Sequence, residues 1–101
     1  MNRIETGRDA EDRAASYLKA RGLSVVERNF RCKVGEIDLV MQDGAEIVFV
    51  EVRARASQDF GGAAASVDAS KRRKVARAAR VWLAARGWGG PCRFDVVAVE
   101  G

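Results

Sequence analysis

The chain contains no histidine, only two cysteines and one proline, and few aromatic residues. Each shortage removes a class of chemistry. Without histidine there is no Ser-His or Cys-His nucleophilic catalysis, and no nuclease chemistry that depends on a histidine base. Cys32 and Cys92 stand far apart and outside any CxxC pair, which speaks against structural zinc and for free, partly buried thiols. No apolar run approaches the roughly 18 residues of a membrane span. The charged opening MNRIETGRDAEDR has no signal-peptide core. The expectation is a soluble, cytoplasmic protein with no membrane partner. Any catalysis must then come from carboxylates, Lys/Arg and a hard metal.

What the chain does have is apolar content and a lopsided charge distribution. At 101 residues and 48% hydrophobic it can build one modest core, so a single domain over residues 1–101 is expected. The segment Ser70–Arg86 carries seven of the 18 basic residues and no acid, leaving 11 basic against 14 acidic elsewhere. A concentrated cationic stripe suits a polyanion such as nucleic acid, although a solvated helix face has the same composition.

The periodicities give an element order. Thr6-Gly-Arg-Asp9 reads as a capping box opening a helix that runs to about Arg21 and closes at Gly22. Ala14, Ala15 and Leu18 form its apolar stripe, Tyr17 is expected in the core, and Glu11 falls inside the stripe. Leu23–Phe30 reads as a short strand. Glu36–Gln42 and Ile47–Arg53 read as antiparallel strands joined around Asp43-Gly44. The glycine-, alanine- and serine-rich stretch Ala54–Ser66 reads as a loop over the site. A basic helix then starts at Asp68 or Ser70 and buries Val75, Ala78, Ala79 and Trp82. Arg93–Val99 closes the fold, with Trp88 a loop anchor. The order α-β-β-β-α-β predicts an α/β sandwich around a central mixed sheet flanked by helices.

The central hairpin carries the chemistry. Alternation along a strand puts Glu51 and Arg53 on one face. A four-residue loop, Asp43 to Glu46, would set Asp38 directly opposite Glu51. A two-residue loop would keep both on one face, and a three-residue loop would part them. The other face, with Ile37, Leu39, Met41, Val48, Val50 and Val52, is expected to be continuously apolar. Charge driven into such a sheet is costly without a use. Two facing carboxylates can bind Mg²⁺ or Mn²⁺ and leave positions for water and phosphate oxygens. Glu11, if its helix covers this face, adds a third carboxylate, and the Val52 carbonyl a further ligand. Arg53 would then meet the phosphate. Lys71 is either a second phosphate contact or a helix residue packed on Val75. Glu36 and Arg55 are supporting candidates, and Arg72, Arg73, Lys74, Arg77 and Arg80 candidate backbone contacts. Alone, Glu51-x-Arg53 would be read as an ordinary ion pair.

An Asp…Glu-x-Lys hairpin within α-β-β-β-α-β resembles the restriction-endonuclease-like, or PD-(D/E)XK, nucleases. More closely, the chain resembles the YraN-type group of small bacterial proteins. The resemblance runs through Gly7, Glu11, Ala14, Tyr17-Leu18, Gly22 and Arg28-Asn29 to Gly35-Glu-Ile-Asp-Leu39. It continues through Phe49-Val-Glu-Val-Arg53, Arg55, Phe60-Gly61, Lys71 and Arg93-Phe-Asp95. A more distant similarity is to archaeal Holliday-junction resolvases, which also place a glutamate in a first helix. The resemblance implies Glu11, Asp38 and Glu51 as the acidic active-site positions and DNA, branched DNA included, as substrate. Pairing as a homodimer agrees with those resolvases and with so small a fold, though no interface stripe is visible. Arg53 departs from the superfamily's lysine. Arginine does not shed its proton, so it can clamp a phosphate but not act as a base. The rival readings are a nucleic-acid-binding protein of the same fold without turnover, and an interaction domain whose basic helix meets an acidic protein.

Overall fold

The computed structural model describes residues 3–55 and 69–100, with side chains from Arg8 to Ala54 and from Ala69 to Glu100. The elements are α1 (Arg3–Ala20), β1 (Ser24–Cys32), β2 (Gly35–Asp43), β3 (Glu46–Arg55), α2 (Ala69–Arg86) and β4 (Cys92–Glu100). This is the order expected from the periodicities. The strands form one sheet in the order β1-β2-β3-β4, antiparallel at the first two junctions and parallel at β3–β4. The fold is therefore α/β with a mixed sheet between helices, consistent with the restriction-endonuclease-like core. The expected loop over Ala54–Ser66 falls largely outside the described residues. No helix among those described is long and apolar enough to cross a membrane.

Each face of the sheet has its own core. On one, Ala10, Ala14, Ala15 and Leu18 of α1 meet Leu39, Met41, Val48, Val50 and Val52. On the other, Val75, Ala78, Ala79 and Trp82 of α2 meet Ile37, Val40, Ile47 and Phe49. Trp82 and Phe49 touch edge to face at 5.7 Å, worth about 0.5–1.5 kcal/mol beyond the area they bury. The buried residues of α2 are the four read from its periodicity.

Helix α1 begins at Arg3, ahead of the Thr6–Asp9 pattern. A capping sequence marks a terminus only where the residues before it leave helical geometry, and here they do not. The C-terminus follows expectation. Gly22 at φ +96 lets Leu23 N–H reach the Leu18 carbonyl at 3.1 Å, while Gly22 N–H reaches Lys19 at 2.9 Å. These two bonds close the helix by satisfying carbonyls that would otherwise lack donors. Tyr17, expected in the core, is instead 54% exposed, with the Arg21 guanidinium 5.5 Å from its ring centre. It lies beside the buried stripe of α1, where its ring can lie along the surface with the hydroxyl in water.

The central hairpin turns on Gly44-Ala45 and pairs Asp43 with Glu46. Of the loop lengths considered, the register is that of the four-residue loop, with its Asp43–Glu46 pair closed. The ladder ends at Leu39↔Val50. Beyond it, Ile37 leaves the face assigned to it and joins the α2 side, while Leu39 stays on the α1 side. The change of face falls at Asp38. On β1 the facing position is Asn29, between the pairs Arg28↔Leu39 and Phe30↔Ile37. Asn29 takes φ +54, a left-handed conformation that asparagine tolerates better than most side chains. The ladder rotates there, and the alternation slips on both strands.

Candidate active site

The charged residues gather where the β2–β3 ladder stops. Asp38, at the slip, turns its carboxylate across the gap, and Oδ2 accepts the Val52 backbone N–H at 2.8 Å. That side-chain bond satisfies a donor that the ended ladder leaves over. Val52 thus meets Asp38 through its amide, whereas its carbonyl was the atom considered as a ligand. Glu51 and Arg53, on the α2 side of β3, face the same gap. Glu51 is only 5% exposed. Its Oε2 lies 3.6 Å from Arg53 Nη2 and 3.7 Å from Lys71 Nζ at the start of α2.

Both cations gather at one oxygen of Glu51. The other, Oε1, is buried and has no hydrogen-bond partner among the described residues, nor has Arg53 Nε. Burial, then the charge of Asp38 and a carboxyl–carboxyl hydrogen bond with it, push the Glu51 carboxyl up from 4.5 to about 7 against the pull of Lys71 and Arg53. The balance is unfavourable for a purely structural ion pair. A buried carboxylate beside two cations would normally be driven to ionise fully. Here desolvation and a second acid outweigh them. Two carboxylates with an unsatisfied oxygen between them suit a hard divalent cation of the Mg²⁺ or Mn²⁺ type, which takes oxygen donors.

Glu11 is not part of this pair. It sits on α1, against the opposite face, where its Oε1 accepts from Asn29 Nδ2 at 3.1 Å. Beside it, Arg28 Nη2 donates to Asp12 Oδ1 at 2.6 Å. The Glu11-Asp12 and Arg28-Asn29 dipeptides clip α1 to the slipped part of β1. Among the described residues no three acidic side chains come close enough to hold one ion. The expected convergence of three acids is therefore corrected to two, because α1 packs on the face away from Glu51. Glu36 is exposed on β2 and pairs with Arg31 at 3.5 Å, away from the gap. Arg55 ends β3 and is described by its backbone alone.

Lys71 joins the site to a cationic cleft of about 660 Å³ between the β1–β2 hairpin and the first turns of α2. Arg31, Lys33, Lys71 and Lys74 line it, with Glu36 the only acid among the described residues. The hairpin lies so close to the helix that a side chain on Gly35 would put its Cβ 2.6 Å from the Lys74 carbonyl oxygen. Arg31 and Lys33 escaped the sequence reading. Their signal was the basic tip Arg31-Cys-Lys33 on a tight hairpin, but only the packing of the tip against α2 makes it part of a cleft. Arg72, Arg73, Arg77 and Arg80 are exposed along α2.

Residues 10–99 match the family described as "Uncharacterised protein family UPF0102". A UPF0102 protein of Ralstonia nicotianae is 59% identical, covering 95% of this chain and 78% of its own length. A UPF0102 protein of Halorhodospira halophila is 53% identical over 96% of this chain and 78% of itself. One from Janthinobacterium sp. is 52% identical, with coverages of 93% and 76%. With this extent of match and identity, the chain belongs to the UPF0102 family, the YraN-type group that its motifs resemble.

Proposed function

We propose that the protein is a metal-dependent nuclease that hydrolyses phosphodiester bonds in DNA, branched DNA included. The observation that carries this reading is that the buried Glu51 Oε1, beside Asp38, receives no hydrogen bond from any described N–H group. Asp38 and Glu51 would hold Mg²⁺ or Mn²⁺. When bound, such an ion supplies positive charge for the phosphoryl oxygens and lowers the pKa of the attacking water.

The chain's own residues do the rest. Arg53 and Lys71 offer charge to the phosphate from the side of Glu51 Oε2. As an arginine, Arg53 can stabilise charge but does not serve as a base. Lys71, Lys74, Arg31 and Lys33 continue that positive field into the cleft, so the strand beyond the scissile phosphate has a track to follow. The reading takes the protein to be cytoplasmic, and takes a second copy to extend its footprint on a duplex.

One reading competes. A nucleic-acid-binding protein without turnover would explain why Glu11 stands apart from the acid pair and why arginine replaces the superfamily's lysine. Purified protein incubated with linear, single-stranded and four-way-junction DNA, with and without Mn²⁺, separates the two. Nuclease activity requires Mn²⁺-dependent cleavage that Glu51→Gln lowers at least about a hundredfold while binding survives. Salt-sensitive binding with no cleavage under any metal would leave only the binding protein.

A further inference from the structure

Helix α2 covers β1 and β2 and reaches Phe49 on β3, but it leaves the same face of β4 bare. Phe94 and Val96 there are 52% and 43% exposed. Between them and α2 lies a pocket of about 440 Å³. Phe49, Val75, Ala76, Phe94 and Val96 give it apolar walls, and two acids line it as well, Glu51 and Asp95, the latter held by Arg93 Nε at 3.2 Å. Arg72 stands at its rim. The Phe94 ring leans on buried Phe49, with centres 5.3 Å apart and planes 32° from parallel. It is held in place on one side and offers its remaining surface to the pocket.

A flat aromatic surface, apolar walls and a cation at the mouth match the two parts of a nucleotide, its base and its phosphate. We propose that this pocket receives one unstacked nucleobase next to the scissile phosphate, stacked on Phe94, with Arg72 on the flanking phosphate. The inference rests on the nucleic-acid half of the function proposed above and adds a substrate requirement. A base inside a regular duplex is stacked on both sides and cannot enter while its phosphate lies at Glu51. The substrate must therefore present an unpaired base, as at a junction, a flap or a single-stranded end. An apolar side chain of a partner protein would also fit the walls, but it would make no use of Arg72 or of the position beside Glu51.

The test uses the full chain in EDTA, so that binding is read apart from cleavage. The ligands are a single-stranded octanucleotide carrying 2-aminopurine, the same strand with abasic sites, and a blunt duplex. Stacking predicts quenching of 2-aminopurine on binding. It also predicts that Phe94→Ala and Phe94→Leu weaken single-strand binding by about five- to a hundredfold. Abasic and duplex binding should change little, and Phe94→Trp should restore the affinity. Arg72→Ala should weaken all three ligands and flatten the salt dependence. Phe94→Leu keeps an apolar side chain on β4, so loss of folding does not confound the result, and circular dichroism checks each variant. Equal loss on all three ligands, no loss on any, or a change of oligomeric state in Phe94→Leu would overturn the inference. Cleavage in Mn²⁺ is scored separately. Base-dependent binding without cleavage sinks the hydrolytic reading alone, and cleavage without base-dependent binding sinks the pocket alone.

Discussion

Strands β3 and β4 each carry an acid and an arginine two residues apart, Glu51-Val-Arg53 and Arg93-Phe-Asp95, and the two pairs live in opposite conditions. Arg93 is bonded to three carboxylates. Its Nε donates to Asp95 Oδ2 at 3.2 Å, and its Nη1 donates to Asp43 Oδ2 at 3.1 Å and Glu46 Oε1 at 2.7 Å. Those bonds, Glu46 first, raise the arginine's already high pKa further. The cluster ties the turn of the central hairpin to the start of β4, and among the described residues it holds no oxygen that is both buried and without a partner. Glu51 and Arg53 are more deeply buried, yet each keeps a polar atom without a partner. Sequence spacing does not distinguish them. Satisfaction of buried hydrogen-bonding capacity does, because an unsatisfied buried group costs free energy that a ligand, a water or a shared proton can recover.

Removing charge at the two clusters should therefore have unlike consequences, largest at the acid pair. Asp38→Asn keeps an oxygen to accept the Val52 N–H but loses the charge. Cleavage in Mn²⁺ should drop at least about a hundredfold with the melting temperature little changed. Arg93→Ala should do the reverse, lowering the melting temperature by a few degrees and leaving cleavage per folded molecule intact. If Arg93→Ala abolished cleavage in folded protein, the contrast would collapse.

The next effect is on stability. A carboxyl raised from 4.5 to about 7 holds a proton in the folded state that the unfolded chain has lost. Stability attributable to Glu51 is thus present below pH 4.5 and declines as the pH rises through about 7. Glu51→Gln should remove that slope and, in metal-free buffer, stabilise the protein at pH 8 by up to about 3 kcal/mol. Urea titrations at pH 4.5 and pH 8 would show it, and a variant less stable at pH 8 would reverse the argument.

Glu27 calibrates the comparison from between the two extremes. This partly buried acid on β1 is satisfied by the Trp82 indole N–H at 3.0 Å and Arg86 Nη2 at 3.1 Å. Trp82→Phe deletes one of the two donors and keeps a ring in the core. It should cost about 1–3 kcal/mol, the hydrogen bond together with the packing lost around a smaller ring, with no effect on cleavage.

How far the chain could be read varied with the range of the interactions involved. Val75, Ala78, Ala79 and Trp82 were legible as a buried stripe because helical periodicity is a local property, and Gly22 as a helix end for the same reason. The hairpin was legible from its turn and alternation, but its register stayed open among three loop lengths until the pairing of Asp43 with Glu46 fixed it. Ile37 was misplaced because the left-handed Asn29 lies on another strand and rotates its neighbour only through pairing. Arg31 and Lys33 were missed for a related reason, since their hairpin gains its meaning from contact with α2.

The amino-acid sequence by itself determined the six elements, their order, the buried face of α2, and the shared orientation of Glu51 and Arg53. Periodicity and turn chemistry act within a few residues, and they suffice for that much. Only the tertiary structure decided that Asp38 turns toward Val52 where the ladder ends, that Glu11 stays on the far side of the sheet, and that Phe94 is left uncovered. Those outcomes depend on which surfaces the helices leave bare and on which polar atoms find partners, and both are settled by contacts between residues distant along the chain.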